Sequence, residues 1–428
     1  MDKMRISLYE LLDCLSGAVD LVSPVVAGHH HQAASLAYRI AQQMELSSEA
    51  QRNVFLAGII HDIGALSLEE RLDLVEGEPV TANSHGYRGA RLMEEFGPLS
   101  TLSDIVRFHH VRWEYGRGKR HMGREVGMES HIVHIADRAV VMIKQGVNVL
   151  EQIPDIIASI KAREGTVFAP DVVDSLAALA SKEYVWLELE HRLSPDPALF
   201  MPETYTLEAD EVLSLSRLLS RVIDFRSHFT ATHSAGVAKT AEKLAELAGF
   251  SGNECRMMLV AGYLHDLGKL AIDNAVLEKP SKLDNREFDA IRSHTFFTYQ
   301  LLGRIQGFEA INRWASFHHE RLDGNGYPFH LKEESIPVGS RIMAVADIFT
   351  AITEPRPYRD GMGRDQRIRL LRSMVDSGAI CGRTVASVLD NFSLMTTICR
   401  ENQLEAAEYY DRFFHDEDDM EVEKLGSA

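Results

Sequence analysis

The chain has 428 residues, 45% apolar and 25% charged, an ordinary composition for a folded protein with sizeable hydrophobic cores. Its 63 acidic side chains outnumber 45 basic ones, and the net charge of −18 argues against a general binder of nucleic-acid polymers or anionic membranes. The length exceeds one typical domain. No apolar stretch is long enough to span a bilayer and no signal-peptide pattern is evident, so we expect no membrane insertion.

The cysteines are few and widely separated. They are Cys14, Cys255, Cys381 and Cys399, and none has Cys-x-x-Cys spacing. This usage argues against a disulfide framework or a thiolate zinc site. We expect a reduced, cytoplasmic location.

The apolar residues of the chain mostly show helical periodicity, beginning near the N-terminus. Apolar residues recur at three and four positions over Leu8–Val22 and Gln32–Met44. Ser47 and the residues after it resemble a helix start, and the apolar run Val54–Ile60 predicts a buried helix that ends at a His-Asp pair. No convincing series of alternating strands is present. The predicted fold class is therefore all-α.

An internal repeat divides the chain into two copies of one helical unit. The motif His-Asp-Ile-Gly at His61 returns as His-Asp-Leu-Gly at His265, an offset of 265 − 61 = 204. Further His and Asp residues recur in the same order at offsets from 204 to 210, a drift that small loop insertions explain. The matching pairs are His29 and His233, His61 and His265, Asp62 and Asp266, His85 and His294, His109 and His318, His110 and His319, and Asp137 and Asp347.

The predicted domain limits follow from this repeat and from local composition. The first copy covers 1–190, and a helical connector covers 191–222, where several prolines break helices. The second copy covers 223–403, and an acidic C-terminal tail covers 404–428.

The second copy carries seven candidate metal ligands. Imidazole and carboxylate ligands suit Fe, Mn, Zn or Ni, and no thiolate is present to favour softer metals. Seven are too many for one tetrahedral site, but they suit two metals bridged by Asp266. Two metals about 3.5–4 Å apart can clamp a phosphoryl oxygen and activate a nucleophile. The predicted ligands are His233, His265, Asp266, His294, His318, His319 and Asp347.

Lys269 follows Asp266 by one helical turn and can face the same cavity. A lysine there would neutralise a phosphate and stabilise the departing oxyanion. The alternative is a solvated cation near the negative end of a helix dipole.

A glycine-rich loop follows the His-His pair of the second copy. Gly324 and Gly326 allow tight backbone geometry, and Pro328 fixes the exit of the chain. Such a loop can bring backbone N–H groups and the ring of Tyr327 to a ligand, although a generic turn explains the glycines equally well.

With these motifs, the second copy resembles the HD-GYP phosphodiesterases, a subgroup of the HD phosphohydrolase superfamily. The resemblance covers about 225–365. It implies a tandem of HD-type helical bundles and a bacterial enzyme that hydrolyses cyclic dinucleotides in second-messenger signalling. The motifs that carry it are His265-Asp266-x-Gly268-Lys269, Leu277-x-Lys279-Pro280, His294, His318-His319-Glu320, Asp323-Gly324-x-Gly326-Tyr327-Pro328, Asp347 and Arg356-Pro357-Tyr358-Arg359.

The resemblance also implies roles for individual residues. Lys269, Arg356 and Arg359 are expected to contact phosphates or guanine. Gly326 and Tyr327 are expected to line the substrate site.

Two departures from the family pattern stand close to the predicted ligands. Members with three metals place a Glu ligand four residues before the position of His233, where this chain has Phe229. We therefore predict two divalent transition-metal ions, with Fe or Mn favoured. Many members have Asp three residues after the position of Asp347, where this chain has Thr350.

The first copy resembles the same family less closely. Ala65 replaces Lys269, no Gly-Tyr-Pro follows its His-His pair, and no segment after its last ligand matches the paired arginines. Metal binding by this copy stays open, and we expect a regulatory or scaffolding role. Its candidate ligand set is nevertheless complete: His29, His61, Asp62, His85, His109, His110 and Asp137.

The leading prediction is a metal-dependent phosphodiesterase, with Asp266 and Lys269 as catalytic residues, that converts cyclic di-GMP to linear pGpG or GMP. The mixed 3′,3′-cyclic GMP-AMP is the alternative substrate, because metal and phosphate motifs do not select the base. A non-catalytic cyclic-dinucleotide receptor is a second class, which the intact ligands and Lys269 disfavour. A di-iron oxidase is a third, disfavoured by the Gly-Tyr-Pro loop and paired arginines. A homodimer stays open, and the sequence does not identify a signalling partner.

Overall fold

The described part of the chain is almost wholly helical. The computed structural model describes residues 6–20, 28–77, 82–193, 195, 206–226, 231–279, 281–354 and 362–415. Within these ranges the four strands have two residues each, and the predicted all-α class is confirmed. By their contacts, residues 11–206 form a first unit, and 6–10 with 207–415 form a second. None of the helices described is long and apolar enough to cross a membrane.

Eleven α-helices are described before residue 191, and the first two lie where apolar periodicity predicts helices. They are α1 (Leu8–Asp20), α2 (His29–Gln43), α3 (Ser48–Ile60), α4 (Leu68–Glu76), α5 (Ala82–Glu94), α6 (Gly97–Ser100), α7 (Ser103–Arg107), α8 (Met128–Val141), α9 (Val149–Lys161), α10 (Pro170–Leu179) and α11 (Glu183–Glu190). Helix α2 buries Ala33, Leu36, Ala37 and Ile40, which are spaced by three, one and three residues and so share one face. A 3-10 helix at Glu114–Lys119 lies between α7 and α8.

A short antiparallel hairpin lies between α7 and α8. It pairs β2 (Arg120–His121) with β3 (Arg124–Glu125). Elsewhere, β1 (Ile6–Ser7) pairs with β4 (Thr206–Leu207).

Helix α3 explains why the first His-Asp pair is buried. Ser47 caps the helix, and its Oγ accepts a hydrogen bond from Ala50 N–H at 3.2 Å, as the predicted helix start requires. Every residue from 54 to 60 is buried, so the end of the helix has no solvent face. The residues that follow, His61 and Asp62, are therefore delivered to the interior.

The second unit repeats this arrangement in α14. Ser251 Oγ accepts a hydrogen bond from Glu254 N–H at 3.3 Å, and the Glu254 carboxylate accepts one from Ser251 N–H at 2.8 Å, a reciprocal cap. Residues 258–264 are all buried. The helices of this unit are α12 (Ala209–Asp224), α13 (His233–Leu247), α14 (Gly252–Leu264), α15 (Asn274–Leu277), α16 (Asn285–Leu302), α17 (Glu309–Ser316), α18 (Val338–Thr353), α19 (Arg364–Asp376), α20 (Gly382–Asp390) and α21 (Phe392–His415), with 3-10 helices at Leu267–Ala271 and Glu333–Ser335.

Two features of the structure differ from the predicted domain limits. Residues 6–10 group with the second unit, whereas the sequence analysis placed them in the first domain. Helix α21 runs unbroken through the predicted limit at 403/404, because Gln403 is buried and donates a hydrogen bond to Glu354 Oε1 at 2.7 Å. The other limits stay predictions, and most of the connector between 194 and 205 and the tail from 416 lie outside the described residues.

Candidate metal centre

The seven predicted ligands of the second unit lie in one cluster. All are buried except His319, which is partly exposed. Their ligand atoms form three overlapping groups, and within each group the atoms lie within 4.8 Å of one another. His233 begins α13, His265 and Asp266 follow α14, His294 lies in α16, His318 and His319 follow α17, and Asp347 lies in α18.

Backbone carbonyl groups fix the orientation of three imidazoles. His265 Nδ1 and His318 Nδ1 donate to the carbonyl oxygens three residues earlier, at 2.8 and 2.6 Å, and His294 Nδ1 does the same. Because a carbonyl only accepts, the proton lies on Nδ1 and the Nε2 lone pair is left for another partner.

Asp266 lies between two sets of imidazoles. Its Oδ1 is 3.4 Å from His294 Nε2, whereas its Oδ2 is 3.2 Å from His265 Nε2 and 2.6 Å from Lys269 Nζ. Burial by itself raises the pKa of Asp266, but the interactions with His265 and Lys269 outweigh it and hold the pKa well below its usual range. The ionised carboxylate therefore presents one oxygen to each set, as a bridging ligand must.

His233 and Asp347 form one end of the cluster. His233 Nε2 is 3.1 Å from Asp347 Oδ1, and His233 Nδ1 is 3.2 Å from Glu354 Oε1. Burial lowers the pKa of His233, but Glu354 and Asp347 outweigh it and raise the pKa to about 10. A metal ion held by Nε2 would take the place of a proton there.

The donor chemistry of the cluster fits divalent metal ions. His265 Nε2 is buried and makes no hydrogen bond to any described group, although Asp266 Oδ2 lies 3.2 Å away. A buried polar atom without a partner calls for an explanation such as an ion. Burial lowers the pKa of His294 to about 3 and that of His318 well below its usual value, so both imidazoles are neutral and able to ligate near pH 7.

Lys269 faces the cluster and is not a solvated surface cation. Its side chain is 21% exposed, and its Nζ contacts Asp266. Burial lowers the pKa of Lys269, but Asp266 raises it above its usual value, so the ammonium stays charged. Arg226 holds the backbone here, since it donates to the Lys269 carbonyl at 2.8 Å and to the Ile272 carbonyl at 2.9 Å.

The Gly-Tyr-Pro loop passes beside His319. Tyr327 N–H donates to the His319 carbonyl at 3.2 Å, and the two ring centroids lie 5.0 Å apart. Burial raises the pKa of Tyr327, and the charges of Asp347 and Asp266 add to the effect, so the phenol stays protonated. The Arg292 guanidinium lies 5.0 Å from the centre of the Tyr327 ring, within cation–π distance.

Glu320 shapes the same loop. Its carboxylate accepts hydrogen bonds from Phe329 N–H at 2.7 Å and from Leu331 N–H at 2.9 Å. A Cβ at Gly326 would lie 2.3 Å from Arg321 N, so only glycine fits this turn. The loop is therefore a defined structure rather than a generic turn.

Some residues of the sequence analysis do not enter this geometry. Arg356, Arg359 and Phe229 lie outside the described residues. Thr350 is buried, and its Oγ1 accepts a hydrogen bond from Cys399 Sγ at 3.8 Å, so it contributes to packing.

The first unit brings its own seven predicted ligands together. His61 and His109 donate their Nδ1 protons to the carbonyl oxygens three residues earlier, at 2.9 and 2.6 Å. Asp62 Oδ1 is 3.1 Å from His85 Nε2, and Asp62 Oδ2 is 3.4 Å from His61 Nε2. Its two oxygens therefore face different imidazoles, as those of Asp266 do. The ligand atoms form two groups, each within 4.8 Å and wholly buried: His29, His61 and Asp137, and Asp62, His85, His109 and His110.

Sequence reasoning missed two buried carboxylates of the second unit. Glu354 supports His233, as described above, and Asp224 accepts hydrogen bonds from Ser234 N–H at 3.2 Å and from its Oγ at 2.8 Å. Burial raises the pKa of Asp224 to about 7. A signal existed for Asp224, since Asp20 matches it at the offset of the His-Asp pairs, 224 − 20 = 204.

Comparison with known proteins places this geometry in a family. Two stretches match the HD domain, residues 26–142 and 217–380. The 3′3′-cGAMP-specific phosphodiesterase 1 of Vibrio cholerae serotype O1 is 31% identical over 398 residues, which cover 90% of this chain and 91% of that protein. The cyclic di-GMP phosphodiesterase response regulator RpfG of Xanthomonas campestris pv. campestris is 37% identical over 187 residues, 43% of this chain and 47% of that protein.

A solved structure shares the fold. The cyclic GMP-AMP specific phosphodiesterase V-cGAP3 of V. cholerae matches with a TM-score of 0.64 and 22% identity, over 91% of this chain and 99% of that chain. Two HD domains and a relative aligned along nearly its whole length show that the chain belongs to the HD-GYP phosphodiesterases of the HD superfamily.

Proposed function

We propose that the second unit is a metal-dependent phosphodiesterase that hydrolyses a cyclic dinucleotide, with Asp266 and Lys269 as its catalytic residues. One observation carries the proposal. The buried ligand cluster is centred on a carboxylate whose oxygens face different imidazoles, and a lysine ammonium lies 2.6 Å from that carboxylate.

Two divalent transition-metal ions, Fe or Mn, complete the proposed site. Nitrogen and oxygen donors without a thiolate suit these metals. Ions bound there would polarise phosphoryl oxygens and make water acidic enough to attack near neutral pH. One ion would be held by His233, His265 and Asp347, the other by His294, His318 and His319, with Asp266 shared between them.

Lys269 is proposed to bind the phosphate and to stabilise the oxyanion that leaves. Its ammonium is charged and partly exposed, and it has a buried carboxylate as its near partner. A phosphate group at the rim of the cluster would give this ammonium a second anionic partner. Because the surroundings are largely closed to water, such a donor acts more strongly than in bulk solvent.

Tyr327 and Gly326 are proposed to line the substrate site. The Tyr327 ring borders His319, and Arg292 lies over that ring, so the edge of the cluster offers an aromatic surface and a guanidinium. These are suitable groups for a nucleobase and a phosphate. Arg356 and Arg359 are proposed as further contacts to phosphate or guanine, on the strength of their motif alone.

Two substrates are candidates. Cyclic di-GMP is the first, since several relatives are cyclic di-GMP phosphodiesterases by name, among them RpfG. The mixed 3′3′-cGAMP is the second, favoured by the relative that matches 90% of this chain and is specific for it by name. Both carry two bridging phosphates, so the choice between them rests on base contacts.

The test is turnover by the purified full chain, loaded anaerobically with Fe(II) or Mn(II). Loss of each cyclic dinucleotide is followed by chromatography, with the linear and mononucleotide products identified, and with chelator-treated protein as the control. We expect metal-dependent hydrolysis of at least one substrate, and the ratio of kcat/KM values then selects it. Tight binding without hydrolysis in metal-loaded protein would instead support a receptor.

A further inference from the structure

We propose that the first unit holds a second ligand site, in which the guanidinium of Arg71 and a metal ion at the Asp62 cluster together bind a phosphate group. The proposal concerns residues that the activity of the second unit does not use. It reverses the sequence-based view that the first unit lacks a phosphate-binding cation because Ala65 replaces Lys269.

Arg71 is buried and contacts the turn that follows Asp62. It lies on α4 and is 3% exposed, and its Nε donates to the Ala65 carbonyl at 2.8 Å. Ala65 is three residues after Asp62 and corresponds to Lys269 at the repeat offset, 269 − 65 = 204. The guanidinium is therefore hydrogen-bonded to the turn of the first unit that corresponds to the Lys269 turn of the second unit.

Both terminal nitrogens of Arg71 lack a partner among the residues that the structure describes. Neither donates a hydrogen bond to any described residue. The neighbouring acid does not accept from them, since Glu70 pairs with Arg88 and accepts from Leu66 N–H at 3.2 Å. Burial lowers the pKa of Arg71 to about 10, with Asp62 the strongest opposing charge, so the group stays cationic near pH 7. A buried cation with two unused donor groups is costly unless an anion satisfies it.

Arg226 of the second unit shows what a purely structural arginine does at this turn. It also anchors the backbone after a His-Asp pair, but it uses both terminal nitrogens, on the carbonyls of Lys269 and Ile272. Arg71 makes the corresponding anchor through Nε alone. Its two terminal nitrogens remain as a fork, the geometry that suits two oxygens of one phosphate.

A second polar group distinguishes the first unit from the second. His30 occupies the place of Ser234 at the repeat offset, 234 − 30 = 204. Its Nδ1 is 2.9 Å from Asp20 Oδ1, and its Nε2 is 3.9 Å from Asp62 Oδ2. The first unit therefore presents an imidazole nitrogen as well as a guanidinium to the region around Asp62.

A cavity adjoins the other ligand group of the first unit, that of His29, His61 and Asp137. It has a volume of about 270 Å³, and the ligand residue His29 forms part of its wall. Lys144 and Arg192 line it together with Gln32 and Glu190. Two cations against one acid favour entry of an anion.

The test uses the full chain with its second site inactivated by Asp266→Ala and Lys269→Ala. This background is loaded with Mn(II), and inorganic phosphate is titrated while its ³¹P linewidth is recorded, since nearby Mn(II) broadens the signal. We expect saturable broadening from the first unit. Adding Arg71→Met should weaken phosphate binding about tenfold or more without changing the Mn(II) stoichiometry.

Two further variants make the result specific. Arg226→Met removes a carbonyl-anchoring arginine from the other unit and should leave phosphate binding unchanged. Arg71→Lys keeps the charge but not the fork, and its affinity should fall between those of the parent and Arg71→Met. Competition by GMP, which has a terminal phosphate, or by cyclic di-GMP, which has only bridging ones, then identifies the phosphate that the site accepts.

The proposal is overturned if phosphate fails to bind while Mn(II) fills the first unit, or if Arg71→Met binds it as tightly as the parent. Should Arg71→Met fail to fold, as judged by circular dichroism, the Arg71→Lys protein decides. Parent-like affinity in that variant would also overturn the proposal. Because the second site is inactive throughout, none of these outcomes depends on the function proposed for it.

Discussion

Asp266 and Lys269 form a charge pair whose balance explains the chemistry proposed for the second unit. The carboxylate is buried, yet His265 and Lys269 keep it ionised. In the proposed mechanism, metal ions would bring further positive charge to the same carboxylate, and a phosphate would bring negative charge to the ammonium. The pair would therefore link metal binding to substrate binding through charge.

Replacing the shared carboxylate should remove metal from one unit only. Asp266→Ala is expected to lose the metal of the second unit, because both sets of imidazoles face this one side chain. Metal content measured by mass spectrometry should fall by about half if both units are loaded. The matched variant Asp62→Ala should cause an equal loss from the first unit. Full metal content in Asp266→Ala would refute the bridging role.

Removing the ammonium should separate binding of metal from catalysis. Lys269→Ala is expected to keep its metal but to lower kcat about 10²-fold or more, the usual effect of losing one donor to a developing oxyanion. Lys243→Ala is the control, because Lys243 pairs with Glu246 on the surface of α13. Equal kcat values in the two variants would show that Lys269 has no catalytic part.

Metal affinity should rise with pH. The pKa values of His233 and His61 are raised to about 10 and about 9, in each case because neighbouring carboxylates outweigh burial. Below those values each imidazole holds a proton that the metal must displace, so the apparent affinity should increase up to about tenfold per pH unit for each proton released. Calorimetric Mn(II) titrations between pH 6 and 8, in buffers of different ionisation enthalpy, measure this release.

Glu354→Gln provides the control for that titration. It removes the charge that contributes most to the raised pKa of His233 and should flatten the pH dependence of the second unit only. An affinity that does not change with pH in the parent protein would contradict the assignment of these protons.

The turn after each His-Asp pair is held by close backbone packing. A Cβ at Gly268 would lie 1.9 Å from the His294 carbonyl oxygen, and one at Gly64 would lie 2.0 Å from the His85 carbonyl oxygen. In each unit the glycine therefore lets the helix that carries another ligand approach the turn. The spacing of ligands between separate helices depends on this contact.

Gly268→Ala should damage the fold and the proposed site together. The added methyl meets backbone, which cannot move aside as a flexible side chain can, and we expect a loss of about 2 kcal/mol or more in the free energy of unfolding. Hydrolysis should also fall, because His294 would shift. Gly64→Ala should lower metal binding in the first unit while hydrolysis persists. Parent-like activity and metal content in Gly268→Ala would contradict this packing argument.

Sequence patterns could predict these elements where the cause is local. The helix start at Ser47 was identified because its cap depends on residues within one turn. The repeated His and Asp residues were identified because coordination chemistry restricts residue type. Contacts that depend on how separate elements pack have no local sequence pattern. The role of Arg71 could not be predicted, because nothing in the sequence of α4 indicates that its side chain reaches the Ala65 carbonyl.

The two units follow from a duplication that the sequence makes visible. Ligand pairs at offsets from 204 to 210 predicted two helical copies, and the structure contains two units, each with a cluster of seven candidate ligands. Their limits were less predictable. The stretch 6–10 is too short to show a periodic pattern. Nothing in the sequence near 403 shows that Gln403 donates a hydrogen bond to Glu354.

The two copies differ in their phosphate-binding residues, since Ala65 of the first unit stands where the second unit has Lys269. The central claim is therefore that the second unit carries out hydrolysis. The direct measurement is the rate of cyclic di-GMP and 3′3′-cGAMP hydrolysis by full-length Asp266→Ala and Asp62→Ala proteins, each loaded with Mn(II) and compared with the parent. We predict that Asp266→Ala loses activity by at least about 10²-fold, while Asp62→Ala retains most of it. Full activity in Asp266→Ala, or loss only in Asp62→Ala, would contradict the account.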